Sequence, residues 1–473
     1  MKQNLADIQT DFAQWYQDII YAAELADHSP VRGSFVIRPY GYAIWELMQR
    51  RIDDRIKATG HHNASFPLFI PESFLTKEAE HVEGFAPELA IVTHAGGKEL
   101  EERLVVRPTS ETIIHYMFAK WIKSWRDLPL KINQWSNVVR WEMRPRAFLR
   151  TTEFFWQEGH TAHATRQEAA DEVQLMLNEY KNFAIEYLAI PVVTGRKSET
   201  EKFPGAEETY TFEALMQDGK ALQMGTSHLL SQSFAHAFEM KFQDQQGNLA
   251  YPYLTSWGVT TRLIGAVVMV HGDQKGLVLP PYVAPIQVVI VPIITKNSDQ
   301  TILHETVQAL ATTLKTAGLR VEVDSREETP GAKFYYWELR GVPFRIEIGP
   351  RDLAQQSCVV SDRLGTTKQT VLLTGVEQYL RDALPACHRA LFDRAHKLLK
   401  SMWHKVNSLR ALVDGLEHKP GFYQTGWCQQ KECEAVLKEH KASIRCLIES
   451  NDIEQCFNCG KPSMQDVLIA RSY

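Results

Sequence analysis

Asn137-Val-Val-Arg-Trp-Glu-Met-Arg-Pro-Arg-Ala-Phe-Leu-Arg-Thr-Thr-Glu-Phe-Phe-Trp-Gln-Glu-Gly-His-Thr-Ala-His163 is the stretch on which the fold turns. It reads as strand, basic loop, strand. Arg140 lies in the first strand, and Arg144, Arg146 and Arg150 follow within the turn region. A run of acidic, aromatic and imidazole groups fills the second strand. Arginine's planar fork makes paired hydrogen bonds to phosphate or carboxylate, so such a hairpin can hold a nucleotide beside a small zwitterion. A β-hairpin with a solvated basic turn has the same local pattern.

The rest of the chain sets the frame. At 473 residues it calls for two to four domains. Hydrophobic residues at 44% and charged residues at 23% are ordinary for a globular protein, and a net charge of −5 leaves room for local basic clusters that meet nucleic acid. Met1–Asp11 lacks the basic start and apolar core of a signal peptide. There is no run of about 18 apolar residues. A cytoplasmic location without disulfides or membrane contact is the expectation, and there clustered cysteines point to metal.

Outward from the hairpin, Phe12, Trp15, Tyr16, Ile19, Ile20 and Ala23 predict an amphipathic helix over residues 1–27, and Gly41–Thr59 predicts another, stopped by Gly60. Asn63–Ile70 is strand-like despite Pro67. Val105–Glu111 reads as a strand ending in a turn, with Thr109 as N-cap of the next helix. Thr165 and Glu168 form a capping box for a helix reaching about Leu188. Beyond Pro280-Pro281 the pattern alternates: strand 286–293, helix 298–317, strand 319–324, a helix from Pro330 and strand 344–348. That alternation predicts a separate parallel or mixed α/β domain over about 286–383. A charged helical region, 386–416, leads to a cysteine-rich tail.

Neither a Gly-x-Gly-x-x-Gly loop nor a Walker loop is present, so any ATP must be held by side chains. Ser256-Trp-Gly-Val-Thr-Thr-Arg-Leu-Ile-Gly265 places Arg262 at the head of a buried apolar run. An arginine there needs an anion or a solvent-lined cleft, unless an internal ion pair serves it. In the tail, Cys428 and Cys433, then Cys456 and Cys459, have the paired spacing of a tetrahedral thiolate zinc site. Cys446, between the pairs, is an alternative ligand, while Cys358 and Cys387 read as buried thiols.

Taken together, Arg107-Pro-Thr-Ser-Glu111, Arg140-Trp-Glu142, Phe148-Leu-Arg-Thr151, Trp156-Gln-Glu-Gly-His160, Gly225-Thr-Ser-His228 and the Trp257–Arg262 run resemble the prolyl-tRNA synthetase family of class II aminoacyl-tRNA synthetases. The resemblance covers about Ser29 to Tyr473. It implies an α/β and α+β multidomain protein. Residues 1–283 would be a catalytic core on an antiparallel sheet, 284–385 an α/β anticodon-binding domain, and 386–473 a small zinc-containing domain. Thr59–Pro67 is similar to motif 1, which implies a homodimer through that region. With about 100 residues between motifs 2 and 3, the chain resembles the archaeal/eukaryotic-like type without an inserted editing domain.

The implied reaction is ATP-dependent activation of L-proline to prolyl-adenylate, with release of pyrophosphate, then transfer to the 3′ end of tRNA(Pro). Arg140 and Arg262 would be the catalytic arginines. Thr109, Glu111, Arg140, Trp156, Glu158, His160, Phe203 and His228 would bind proline. Arg140, Glu142, Arg150, Thr151, Gln223, Thr226, Thr260 and Arg262 would bind ATP, with magnesium sharing the phosphate charge. Cys428, Cys433, Cys456 and Cys459 would hold a structural zinc. Arg326, Lys333, Tyr335, Arg345 and Arg351 are candidate anticodon contacts, each of which singly fits a solvated surface position better; the resemblance brings the Tyr473 carboxylate toward the active site, where a frayed terminus is the default reading. Taken singly, Trp156 and Phe203 also fit core positions, and His160 and His228 fit structural roles. Two rival readings are a class II synthetase for another small amino acid and a catalytically silent RNA-binding paralogue.

Overall fold

The structure, a computed structural model, describes residues 5–75, 89–294 and 300–473. Its centre is an antiparallel sheet that builds outward from the hairpin. The strands Leu130–Val139 and Glu153–His163 pair from Leu130↔Ala162 to Val139↔Glu153. Tyr253–Thr260 lies along the other side of Glu153–His163, followed by Ala221–Ser231, Glu208–Leu215 and Val193–Arg196. Gly159 is required at the middle of this sheet, because a Cβ there would lie 2.1 Å from the ring of Trp257. Gly159→Ala is expected to destabilise the core by about 1–3 kcal/mol through overpacking, read as a lower urea midpoint.

Helices cover one face. Arg166–Glu186 starts at the reciprocal Thr165/Glu168 capping box, as the sequence predicts, and buries Val173, Met176, Leu177, Tyr180 and Phe183. Arg262–His271 buries Leu263 to His271 without interruption. Pro39–Ala58 adds Ile44, Trp45, Met48, Ile52 and Ile56 to the same core, and Phe12–Ala22 adds Trp15, Tyr16, Ile19 and Ile20.

Some local expectations change. The first helix is only Phe12–Ala22, and a short strand, Ala26–His28, follows it. Residues 64–68 are not strand; only His62–Asn63 and Phe69–Pro71 pair on either side of Pro67, which lacks the N–H a ladder needs. Ser110, not Thr109, sits at the N-cap of helix Glu111–Trp121, because the Thr109 hydroxyl is drawn to the Glu111 carboxylate.

The α/β unit is mixed. Val288–Pro292 runs parallel to Val321–Val323 and to Phe344–Ile348; Ser357–Asp362 and Lys368–Leu372 complete the sheet antiparallel. Val288, Ile290, Leu303, Val307, Phe344 and Ile346 form its core. The following helix, Val376–Ser401, is continuous through Pro385 and delivers the chain to the tail.

The tail brings a topological surprise. Phe422–Trp427, Gln465–Arg471 and Ala442–Leu447 form a sheet of their own, and Leu447 then pairs with Arg196. The tail thereby continues the central sheet, which reaches eleven strands among the described residues. Beneath the join, the Glu213 carboxylate is fully buried. It takes Lys197 at 2.9 Å and the Arg445 guanidinium at 3.0 Å. Burial opposes ionisation of Glu213, but the two cations outweigh it and hold it below the ordinary carboxylate range.

Candidate active site

All the amino-acid- and ATP-binding candidates named from sequence line one cavity of about 450 Å³, on the open face of the sheet. Strand Glu153–His163 supplies Trp156, Glu158 and His160, because alternate residues face the same side. Ala221–Ser231 supplies Gln223, Thr226 and His228, and Thr260 with Arg262 comes from the end of Tyr253–Thr260 and the helix start. Thr109 and Glu111 enter from the turn before helix Glu111–Trp121. Lys197, Lys202, Phe148 and Phe154 also line the cavity. Phe148 belongs to the Phe148–Thr151 motif and Phe154 to the hairpin's second strand, whereas Lys197 and Lys202 carry no such local signal and only tertiary placement brings them in.

One end is built around carboxylates. Glu158 is buried and already saturated: it accepts from Ser110 Oγ at 2.5 Å, Gln134 Nε2 at 2.9 Å and His160 Nε2 at 3.0 Å. Burial opposes its ionisation, yet His160, Ser110 and Gln134 outweigh that and lower its pKa. His160 in turn is depressed by burial but raised overall by the Glu158 bond and the Glu111 and Glu158 charges. Burial, aided by the charge on His160, drives His228 the other way, to about 3. Glu111, which takes the Thr109 hydroxyl, is the carboxylate with capacity left for a cation. Trp156 is fixed by Nε1 donating to Ser136 Oγ at 3.1 Å, and Phe203 packs on His228 with ring centroids 4.7 Å apart.

The other end is cationic. Arg140 Nε donates to the Pro108 carbonyl at 2.8 Å, and the guanidinium sits 5.5 Å from both the Phe154 and Trp156 rings. Crowding by protein lowers its pKa, and the Glu111 and Glu158 charges oppose that. Arg262 has no carboxylate within ion-pair distance among the described residues. It donates to the Leu149 carbonyl at 3.1 and 3.2 Å and to the Gln223 carbonyl at 3.2 Å. Desolvation by the surrounding protein lowers it to about 10, a half-buried cation without a paired anion. This answers the ion-pair alternative raised by the sequence.

The hairpin turn is not simply a solvated basic loop either. Arg144, Arg146 and Arg150 are exposed, but Ala147, Phe148 and Leu149 are buried, and Tyr16 donates to the Ala147 carbonyl at 2.8 Å. Arg150 pairs with Glu142 at 3.1 Å across the turn.

Several buried histidines tie stability to pH. Burial brings His228 and His271 to about 3 and His163 to about 4. Their neutral forms are full contributors above the unfolded value of about 6.5, and the contribution is lost as pH falls toward the folded values. Each site costs up to about 1.4 kcal/mol per pH unit over that window. His160, raised, has the opposite sign and contributes below its ordinary value. The expected net result is a falling melting temperature from pH 7 to pH 5; a flat profile in thermal scans would contradict it.

The four tail cysteines converge. Cys428 Sγ lies 3.6 Å from Cys433 Sγ and 3.7 Å from Cys459 Sγ, and one sulfur from each of Cys428, Cys433, Cys456 and Cys459 falls within 4.8 Å of the others. Zinc–sulfur bonds of about 2.3 Å in a tetrahedron give sulfur separations of about 3.8 Å, so this donor set fits zinc. Burial opposes the Cys456 thiolate, but amide donors of Cys459, Asn458 and Cys428 outweigh it and bring the thiol to about 7. Cys446 is not part of the cluster: it is fully buried in a strand beside Leu215, Phe422 and Leu468, with its thiol pushed up to about 12. Cys358 and Cys387 are buried thiols, likewise near 12. Tyr473 donates its hydroxyl to Asp218 at 2.7 Å.

In the α/β unit, Lys333 is buried and donates to the Asp324 carbonyl at 3.0 Å, so it is a structural strut and not a surface contact. Arg326 is tied to Asp324, and Arg345 to Glu347. Arg351 remains exposed.

Comparison with known proteins agrees with this geometry. Residues 92–271 match the tRNA synthetase class II core domain (G, H, P, S and T), 287–383 an anticodon binding domain, and 409–473 the prolyl-tRNA synthetase C-terminal domain. The chain is 52% identical to proline–tRNA ligase 2 of Clostridioides difficile, over 100% of this chain and 98% of that one. It is 53% identical to the proline–tRNA ligase of Chloroherpeton thalassium over the full length of both. It superposes on the prolyl-tRNA synthetase of Cryptosporidium parvum complexed with halofuginone and AMPPNP, with a TM-score of 0.95 at 41% identity, over 100% of this chain and 99% of that one. A second structure of that enzyme, complexed with L-proline and AMP, gives 0.92 at 40% identity, over 99% of each chain. The arginine-flanked, acid-ended cavity on an antiparallel sheet, with its anticodon-binding unit and cysteine-bearing tail, belongs to a member of the prolyl-tRNA synthetase family.

Proposed function

We propose that this chain is a proline–tRNA ligase that activates L-proline with ATP, releases pyrophosphate, and transfers the prolyl group to the 3′ end of tRNA(Pro). The observation that carries the reading is the pairing, in one cavity, of a carboxylate with spare capacity and two arginines that lack carboxylate partners at ion-pair distance. The relative crystallised with L-proline and AMP, and with an ATP analogue, supports the same two ligands here.

Glu111, with Thr109, receives the secondary ammonium, and the Glu158–His160 pair holds the local charge. Trp156, Phe203 and His228 wall the ring. Arg140 lies where the carboxylate meets the α-phosphate. Arg262 and Arg150 hold ATP from other sides, with Glu142, Thr151, Gln223, Thr226 and Thr260 completing its contacts. The carboxylate attacks the α-phosphorus as pyrophosphate leaves, so the protein's work is to align two anions and neutralise their charge. Magnesium arriving with ATP shares the phosphate charge.

Residues 164–252 support the type without an inserted editing domain: apart from the small hairpin Phe242–Gln243/Leu249–Ala250 and the short helix Ser233–Ala237, they consist of helix Arg166–Glu186 and three strands of the central sheet. We assign 1–283 to catalysis, 284–385 to the anticodon and 386–473 to a zinc-bearing tail. The short edge strand His62–Asn63 and the exposed Trp121, whose ring lies 6.0 Å from that of Phe66, support a homodimer through the motif 1 region. No helix among the described residues is long and apolar enough to cross a membrane; a reaction that consumes ATP and tRNA places the enzyme in the cytoplasm.

Pyrophosphate exchange over a panel of amino acids tests the reading. Exchange with proline far above threonine or glycine is expected. Preference for another amino acid would move the assignment to a sister enzyme, and exchange with none would favour the silent paralogue.

A further inference from the structure

The wall of the cavity that bears Phe203 is a loop, residues 197–206, between strands Val193–Arg196 and Glu208–Leu215. Its far end is anchored by Thr209, whose Oγ1 accepts from Phe203 N at 2.9 Å and hydrogen-bonds His228 Nδ1 at 3.0 Å. Its near end turns on Ser198, whose carbonyl accepts the amides of Glu201 and Lys202 at 3.1 and 3.0 Å. The Ser198 side chain is buried, and its hydroxyl donates to Glu434 Oε1 at 2.5 Å, across 236 residues of sequence. Glu434 directly follows Cys433, in the short helix Lys431–Ala435 that carries that thiol into the four-cysteine cluster. Glu434 is itself only 7% exposed, and its second oxygen has no hydrogen-bond partner among the described residues.

A buried carboxylate with one bond is retained only where that bond has a purpose, since leaving polar atoms unsatisfied is costly. The neighbouring Lys197–Glu213–Arg445 bridge fixes the sheet join, but it leaves residues 198–204 to be held separately. No other side chain of the tail is hydrogen-bonded to that loop among the described residues.

We propose that Glu434 is a positioning residue: it ties the metal-bearing Cys433 turn to Ser198 and so holds the loop that presents Phe203 to the amino acid. The inference rests on reading the acid-ended half of the cavity as the proline site. With metal bound, Cys433 and therefore Glu434 are fixed, and the loop is held against His228. With metal removed, the anchor moves and the proline wall loosens while the ATP side, built on the sheet and helix Arg262–His271, stays in place.

Ser198→Ala, Glu434→Ala and Glu434→Gln in the full chain test this. Proline KM should rise about tenfold in both alanine variants, the scale seen when partners that orient a site are removed. ATP KM, kcat and zinc per chain should stay near wild type. Glu434→Gln, which can still accept from Ser198, should recover most of the proline KM. The Ser198/Glu434 double alanine variant should be no worse than either single variant. Trypsin cleavage after Lys202, which reads loop release without reference to proline, should accelerate in the alanine variants and in chelator-treated wild type. Chelator should add nothing to Glu434→Ala. Unchanged proline KM and cleavage, additive effects, or equal losses on ATP and proline would overturn the proposal. Wild type lacking proline-dependent exchange would instead count against the functional reading, with the cleavage rates still testing the tie.

Discussion

Replacing Arg140 by alanine is expected to lower proline-dependent pyrophosphate exchange by about 10²–10³-fold, chiefly in kcat. The backbone need not move, because Arg140 N donates to the Thr152 carbonyl at 2.8 Å whatever side chain it carries. What is lost is a guanidinium held at one nitrogen by the Pro108 carbonyl and flanked by the Phe154 and Trp156 rings. Its interaction with charge that develops as two anions approach is stronger at the transition state than before it, so kcat falls more than KM rises. Arg140→Lys keeps the charge but not the planar fork, and should restore only part of the rate. Exchange near the wild-type rate in Arg140→Ala would remove that residue from the chemistry.

The second large effect is structural. Glu213→Ala strands the Lys197 ammonium and the Arg445 guanidinium, which are 4% and 6% exposed, without their shared anion. Breaking a buried ion pair on one side costs about 3–5 kcal/mol, because the partner charge stays desolvated. The loss falls at the join between tail and central sheet, where Leu447 pairs with Arg196 and Ser472 bridges to Ala221. The first unfolding transition in urea should therefore move down, and the tail should become sensitive to protease before the core does. A midpoint shift worth less than about 1 kcal/mol would show the bridge to be incidental.

These two residues show where sequence reading succeeds and where it stops. Arg140 is legible because its neighbours in sequence are also its neighbours in space: a hairpin folds the Arg140 and Trp156–His160 segments onto adjacent strands. The Thr165 capping box, the strand at Phe344–Ile348 and the paired cysteines are local signals of the same kind. Glu213 carries no such mark. It is one of many acidic residues until strand pairing brings Arg445 to it across 232 positions. The burial of Phe148 and Leu149 was hidden for the same reason, since Leu149 packs over Gly265 and its carbonyl receives Arg262. Lys333 reads as an anticodon contact by charge alone, and only the fold reveals that its ammonium is consumed by Asp324.

Charging of purified tRNA with labelled proline in the presence of ATP tests the central claim most directly. ATP-dependent prolyl-tRNA formation is expected, reduced by about 10²–10³-fold in Arg140→Ala. Charging with a different amino acid in preference to proline, or none at all with an intact folded chain, would contradict it.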